Sequence, residues 1–166
     1  VTVGKELLSW NSDSKSMETG RPTKSAISQD FTSAEHLFRL AEDMNAMRDY
    51  SQAMHYYMAC LDKEPTDSRA LYRVAELHYK RAEYTEGLSF AGKILENDTY
   101  DGSANFIYGM IRRRMGNLMQ AEEAFSISAR TMEFRSAAYF QIAGIRIQNR
   151  DFEGGVNFAA KALDYN

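Results

Sequence analysis

Short segments of similar pattern recur every 34 residues through most of this chain of 166 residues. Each segment has a polar residue, a large apolar residue, two spacers and then alanine or glycine; the four are Asp49–Ala53, Glu83–Gly87, Asn117–Ala121 and Asp151–Gly155. A second column of small residues lies twelve positions earlier, at Ala41, Ala75, Gly109 and Ala143. Because no insertion interrupts the spacing, we expect one structural unit to be repeated four times.

Each unit is expected to form two amphipathic helices. In the first unit, apolar residues follow the i, i+3, i+4, i+7 spacing of one helical face at Leu37, Leu40, Ala41 and Met44. The second helix of that unit has a comparable face at Tyr50, Ala53, Tyr57 and Cys60. The repeated pattern predicts helix pairs at about 33–46 with 50–63, 68–81 with 84–97, 102–115 with 118–131, and 136–148 with 152–165.

The two columns of small residues predict how the helices pack. A side chain no larger than a methyl group lets two helix backbones approach closely. A single helix pair would leave one apolar face exposed, so neighbouring pairs must stack, and such a stack forms a superhelix with a concave groove. We therefore predict an all-α fold of four antiparallel helix pairs in residues 31–166.

The unit resembles the tetratricopeptide repeat, and the first copy carries that pattern at Leu37, Leu40, Ala41, Tyr50, Ala53, Tyr57 and Pro65. The resemblance covers residues 34–166 and implies a right-handed superhelical solenoid with copies at 34–67, 68–101, 102–135 and 136–166. The chain departs from the family pattern late in the first helix, where His78, Arg112 and Arg146 replace an aromatic residue. The RNA-binding pentatricopeptide repeat has a 35-residue unit, and the spacing of 34 disfavours it.

The resemblance also implies which residues line the groove, because first-helix residues one turn apart do so in this family. The candidate groove residues are Phe38, Glu42, Tyr72, Glu76, Tyr79, Phe106, Met110, Arg113, Phe140 and Ile147. The column of Phe38, Tyr72, Phe106 and Phe140 is aromatic in every copy. Such a ladder could grip a bound segment, or its rings could simply pack beside the partner helix, and the sequence leaves both interpretations open.

Charge changes sign along the groove. Residues 31–101 carry five more acidic than basic side chains, whereas residues 102–166 carry two more basic than acidic ones. We therefore predict that a protein or peptide ligand places a basic part near Glu42 and Glu76. Its apolar part would lie toward Phe106, Met110, Phe140 and Ile147.

Two more specialised kinds of binding are disfavoured. One subtype of the family holds the C-terminal carboxylate of chaperones with Lys, Asn and Arg, but the matching positions hold Phe38, Glu42, Arg73, Phe106 and Met110. Arg112, Arg113 and Arg114 are the densest basic run, yet consecutive helical residues point about 100° apart. We expect only one of them to face the groove, and we do not expect nucleic-acid binding.

The sequence offers no arrangement typical of catalysis, so we do not expect an enzyme, a cofactor or a metal site. His36, His55 and His78 lack metal-ligand spacing, and Cys60 occupies a small, core-facing helical position. No run of eighteen apolar residues predicts a membrane span. The compartment stays open, with the cytoplasm favoured slightly over the periplasm.

Residues 1–30 lie outside the repeats and are expected to be a linker or the stub of a preceding domain. The chain weakly resembles the repeat region of large bacterial proteins in which a β-rich, carbohydrate-associated domain precedes such repeats. Two functions follow as alternatives: an adaptor that binds a protein segment in its groove, or a structural arm of a larger protein. The second alternative predicts self-association through an uncapped last helix that carries Val156 and Leu163.

Overall fold

The computed structural model describes residues 32–165, which contain eight α-helices and no strand. The helices form four antiparallel pairs, as predicted, and each pair packs against the next. Their bounds are α1 Ala34–Ala46, α2 Tyr50–Lys63, α3 Ser68–Lys80, α4 Tyr84–Asn97, α5 Gly102–Arg114, α6 Leu118–Ser128, α7 Met132–Gln148 and α8 Phe152–Asp164. The linker or stub predicted for residues 1–30 lies outside the described residues.

Short polar side chains fix where most of the helices begin. The Ser33 hydroxyl accepts a hydrogen bond from the His36 amide, and the carboxylates of Asp49, Asp67, Asp101 and Asp151 accept amide hydrogen bonds from the first turns that follow them. These bonds satisfy amide groups that have no partner within the helix. The starts of these five helices are thus encoded locally in the sequence.

The turn inside each pair uses a left-handed backbone at the same repeat position. Arg48, Ala82, Gly116 and Arg150 have φ values of 62°, 60°, 82° and 65°. Glycine adopts this conformation without a steric penalty, whereas Arg48, Ala82 and Arg150 must be held in it by their surroundings. The tight turn lets the second helix fold back directly onto the first.

Both columns of small residues lie at the helix contacts, and all eight members are buried. A Cβ atom added to Gly87 would lie 3.3 Å from the carbonyl oxygen of Ala75, and one added to Gly155 would lie 3.5 Å from that of Ala143. The small residue of the second helix therefore faces the small residue of the first helix in the same pair. This close approach confirms the packing predicted from the spacing.

The fourth helix pair differs from its prediction, because α7 begins at Met132 instead of near residue 136. Asp67 and Asp101 cap the corresponding helices of the second and third copies, but Arg135 occupies the matching position in the fourth. An arginine does not cap a helix N-terminus. Its guanidinium instead donates hydrogen bonds to the carbonyl oxygens of Ala129 and Arg130 after α6, and α7 gains an extra turn.

The polar residues late in the first helices are accommodated by stacking and ion pairing. His78 stacks on Phe90 with ring centroids 5.4 Å apart and contacts Glu83 through Nδ1 at 2.7 Å. The Arg112 guanidinium lies 4.8 Å from the centre of the Tyr108 ring. Arg146 pairs with Glu122 and Asp151. The rings and ion pairs thus accommodate these polar side chains, although the Nε atoms of Arg112 and Arg146 are buried without a hydrogen-bond partner in the described residues.

The Asp67 cap makes a pH-dependent contribution to the stability of the fold, and this contribution can be tested. Burial alone would raise the pKa of Asp67, but hydrogen bonds from the Arg69 side chain and the Ala70 amide outweigh it and lower the pKa below its usual value. A lowered pKa means that the carboxylate stabilises the fold above about pH 4, and that this stabilisation is lost as the pH falls toward the folded-state pKa.

We expect Asp67→Ala to lower the free energy of unfolding by about 1 kcal/mol at neutral pH, because the cap is lost. Asp67→Asn keeps a capping oxygen but does not titrate, so the advantage of the wild type over this variant should shrink as the solution is acidified. Urea unfolding near pH 7 and near pH 3 measures both effects. A difference between wild type and Asp67→Asn that stays constant with pH would contradict the assignment.

Candidate protein-binding groove

The first helices of the four pairs lie on the inner side of the stack. The helices α3 and α5 contact each other, as do α5 and α7, whereas no comparable contact joins one second helix to another within residues 32–165. In a curved stack of helix pairs, the helices that lie closer together are on the inner side of the curve. The surface formed by α1, α3, α5 and α7 is therefore the concave groove, and it holds two hollows.

The N-terminal hollow has a volume of about 360 Å³ and lies between α1, α3 and the first turn of α7. Its walls include Phe38, Glu42, Arg69, Tyr72, Arg73 and Phe134. Burial raises the pKa of Tyr72 to about 12, so its hydroxyl stays protonated at neutral pH. This hollow lies at the acidic end of the groove, where Glu42 stands.

The acidic residues of this end are already paired with bases of the same chain. Glu42 accepts two hydrogen bonds from Arg73, at 2.8 Å to Nε and 2.9 Å to Nη2. Arg73 also bridges to Glu76 at 3.0 Å, and Lys80 lies 3.0 Å from the second Glu76 oxygen. Burial alone would lower the pKa of Arg73, but these carboxylates raise it. Glu42 and Glu76 thus offer little uncompensated negative charge to a basic ligand.

The predicted aromatic ladder divides into two parts. Phe38 and Phe106 pack against the second helices of their own pairs, with ring centroids 5.8 Å from Tyr57 and 5.7 Å from Phe125. Phe140, in contrast, is 65% exposed. Phe38 and Phe106 therefore pack beside the partner helix, whereas the Phe140 ring is accessible from solvent.

Phe134 is a groove residue that the sequence pattern did not reveal. It lies in the extra turn of α7, and its ring centroid is 5.4 Å from that of Phe106 and 6.3 Å from that of Tyr72. The ring thus fills the groove between α3 and α5. The signal that could have revealed it is the missing cap at position 135, which lets α7 start earlier.

The C-terminal hollow has a volume of about 510 Å³ and lies between α3, α5 and α7. Its lining residues are Tyr79, Met110, Arg113, Arg114, Gln141 and Gln148. Arg114 Nε donates to the Tyr79 hydroxyl at 3.0 Å, and this contact raises the pKa of Arg114 above its usual value. Arg113 donates to the Gln141 side-chain oxygen. Predicted groove residues from the second and third copies therefore meet in this hollow, together with two glutamines of the fourth copy that were not predicted.

Arg113 and Arg114 both line the C-terminal hollow, so the expectation that only one arginine of the run faces the groove is wrong. Helical directions about 100° apart separate the Cβ atoms but do not fix the ends of long side chains. Arg114 extends toward α3, whereas Arg113 extends toward α7. Arg113 Nη2 lies only 2.7 Å from where a Cβ atom of Gly144 would stand. The missing side chain at position 144 makes room for the guanidinium.

Two further findings concern other kinds of site. Among residues 32–165, no group of three or more His, Cys, Asp and Glu side chains is arranged to hold a metal ion. No helix in the same range is both long enough and apolar enough to cross a membrane. Cys60 is buried in the core, and burial raises the pKa of its thiol.

Solved structures share this arrangement of helices. A crystal structure of MamA matches with a TM-score of 0.71 and 18% identity over 82% of this chain and 80% of that chain. PilF of Pseudomonas aeruginosa matches with a TM-score of 0.73 and 18% identity, over 82% of this chain and 63% of that chain. TTC0263 of Thermus thermophilus, a thermophilic TPR protein, matches with a TM-score of 0.70 and 16% identity, over 81% of this chain and 75% of that chain. No protein-family model matches the chain. The four helix pairs thus have the tetratricopeptide-repeat fold, which confirms the predicted resemblance at the level of fold.

Proposed function

We propose that this chain is a protein-interaction scaffold that holds a segment of another protein in its concave groove. The supporting observation is the C-terminal hollow, which joins aromatic, apolar and guanidinium groups from α3 and α5 with two side-chain amides from α7. Beside it on α7, Phe140 and Ile147 are 65% and 49% exposed. Solvent-exposed aromatic and aliphatic side chains beside polar groups are typical anchors of protein interfaces.

Residues on α7 give the proposed site one continuous face. Phe140, Gly144 and Ile147 follow the i, i+4, i+7 spacing of one helical side. Gly144 stands between them without a side chain, and the Arg113 guanidinium occupies the space beside it. An extended or helical segment of a partner could therefore place apolar side chains on Phe140 and Ile147, on either side of this guanidinium.

We expect Phe140→Ala with Ile147→Ala to weaken the binding of a groove ligand by roughly ten-fold or more, because both anchors are removed. Random twelve-residue peptides displayed on phage would be selected against the full chain. The affinities of the selected peptides would then be measured by fluorescence polarisation. Since both side chains are exposed, circular dichroism should show an unchanged fold.

The matched control is Phe152→Ala with Val156→Ala on α8, where the side chains are 63% and 67% exposed. These changes remove comparable apolar surface from a helix that does not form the groove, so peptide affinity should not change. Failure to select any peptide, or peptides that ignore the α7 variant, would contradict groove binding.

A second candidate function is assembly with another copy of the chain through α8. Phe152, Val156 and Leu163 follow the spacing of one helical face, and Leu163 is 74% exposed. A stripe of exposed apolar residues is typical of an interaction surface. Sedimentation equilibrium distinguishes the candidates, because self-assembly would be weakened by the α8 variant and not by the α7 variant.

A further inference from the structure

We propose that the C-terminal hollow selects an acidic segment, binding an Asp or Glu side chain of the partner between Arg113 and Arg114. Apolar residues next to that carboxylate would lie on Met110 and Phe140. This inference rests on the proposed function and specifies its ligand. The charge pattern of the sequence predicted a basic part of the ligand at the other end of the groove, near Glu42 and Glu76, and no acidic part.

Uncompensated positive charge distinguishes this hollow from the rest of the groove. No carboxylate of residues 32–165 lies within 4 Å of the Arg113 or Arg114 guanidinium, whereas Arg69 and Arg73 each contact two carboxylates. The two guanidiniums also stand at the C-terminal end of α5, whose helix dipole offsets only about half a unit charge. A bound carboxylate would supply the missing countercharge.

The two arginines retain hydrogen-bond donors for such a ligand. A guanidinium has five N–H groups. Within the described part of the chain, Arg113 uses one to contact Gln141 and Arg114 uses one to contact Tyr79. These contacts orient the guanidiniums along opposite walls and leave donors for the oxygens of a carboxylate. Paired N–H groups match the spacing of carboxylate oxygens, which favours this ligand over an uncharged amide.

A peptide fits the surroundings better than a nucleic acid does. The uncompensated positive charge is confined to one hollow; in the neighbouring N-terminal hollow the arginines are paired with carboxylates and Glu133 is exposed. A phosphate backbone would need several successive cationic contacts, and it would be repelled by Glu133. A single acidic side chain flanked by apolar ones needs only the two arginines and the apolar residues beside them.

The phage selection described above also tests this inference through the composition of the selected peptides. Peptides bound by the wild type should be enriched in Asp or Glu next to an aromatic or aliphatic residue. Arg113→Gln with Arg114→Gln should weaken their binding by roughly ten-fold and remove the acidic enrichment in a repeated selection. Arg39→Gln with Arg130→Gln is the matched control, because it removes the same charge from two exposed positions outside the hollow.

Synthetic versions of one selected peptide locate the carboxylate. The peptide with a C-terminal amide should bind as tightly as the peptide with a free C-terminal acid. Replacing its Glu by Gln should weaken binding by about the same factor as the double arginine variant does. A dependence on the free C-terminus, or neutral selected peptides that still require Phe140 and Ile147, would overturn acidic selection while the proposed groove function stands. Tighter binding of a twelve-nucleotide single-stranded RNA than of any peptide would also overturn it.

Discussion

Phe125→Ala is expected to lower the free energy of unfolding by about 3–5 kcal/mol, the range for deleting a buried aromatic side chain. Phe125 is completely buried on α6, and its ring packs edge to face against Phe106 at 5.7 Å. Ring atoms also lie 2.8–3.0 Å from where a Cβ atom of Gly109 would stand. Helices already this close cannot move together to fill the space left by the ring, so most of the cavity should persist.

Urea unfolding followed by circular dichroism measures this effect. Phe140→Ala is the matched control, because it deletes the same side chain from a position that is 65% exposed, and it should change stability by less than about 0.5 kcal/mol. Each helix pair packs only against its neighbours. Unfolding could therefore occur in two separate transitions when the third pair is destabilised. Similar stabilities for the two variants would show that Phe125 does not hold α5 and α6 together.

The fold could be predicted from the sequence because its determinants are local and repeated. Ala41, Ala75, Gly109 and Ala143 recur at one position, and each is buried at a helix contact. Close approach requires only that these side chains be small, and residue identity alone gives that information. The early start of α7 was missed because it depends on Arg135, a replacement within the repeat, and not on the repeat itself.

The candidate groove was harder to predict, because its properties depend on where long side chains end. Glu42 and Arg73 are 31 positions apart and belong to different repeats, yet their ion pair removes the negative charge assigned to the acidic end. Arg114 reaches Tyr79, which lies 35 positions away. Sequence spacing identifies which Cα atoms share a face. It does not determine which charged groups neutralise one another across neighbouring helices.

The pairing of Glu42 leads to the second large stability effect. Its carboxylate accepts hydrogen bonds from Arg73 and from the hydroxyl of Tyr57, which is completely buried. Burial, and then the hydrogen bond to Glu42 and its charge, raise the pKa of Tyr57 well above its usual value, so this hydroxyl stays protonated and donates to the carboxylate. We expect Glu42→Ala to lower the free energy of unfolding by about 2–3 kcal/mol, because the Tyr57 hydroxyl loses its acceptor and Arg73 loses its bidentate partner.

A double-mutant cycle separates the two contacts. Glu42→Ala should cost less in a Tyr57→Phe background, where no buried hydroxyl is left without an acceptor, and the difference gives the coupling energy. Glu42→Gln keeps an acceptor for Tyr57 but loses the charge opposite Arg73, so it should cost less than Glu42→Ala. Urea unfolding of the four variants and the wild type supplies these values. If Glu42→Ala cost the same with and without the Tyr57 hydroxyl, the carboxylate would act only through Arg73. Its removal would then mainly expose positive charge in the N-terminal hollow, and the groove would attract acidic segments along more of its length.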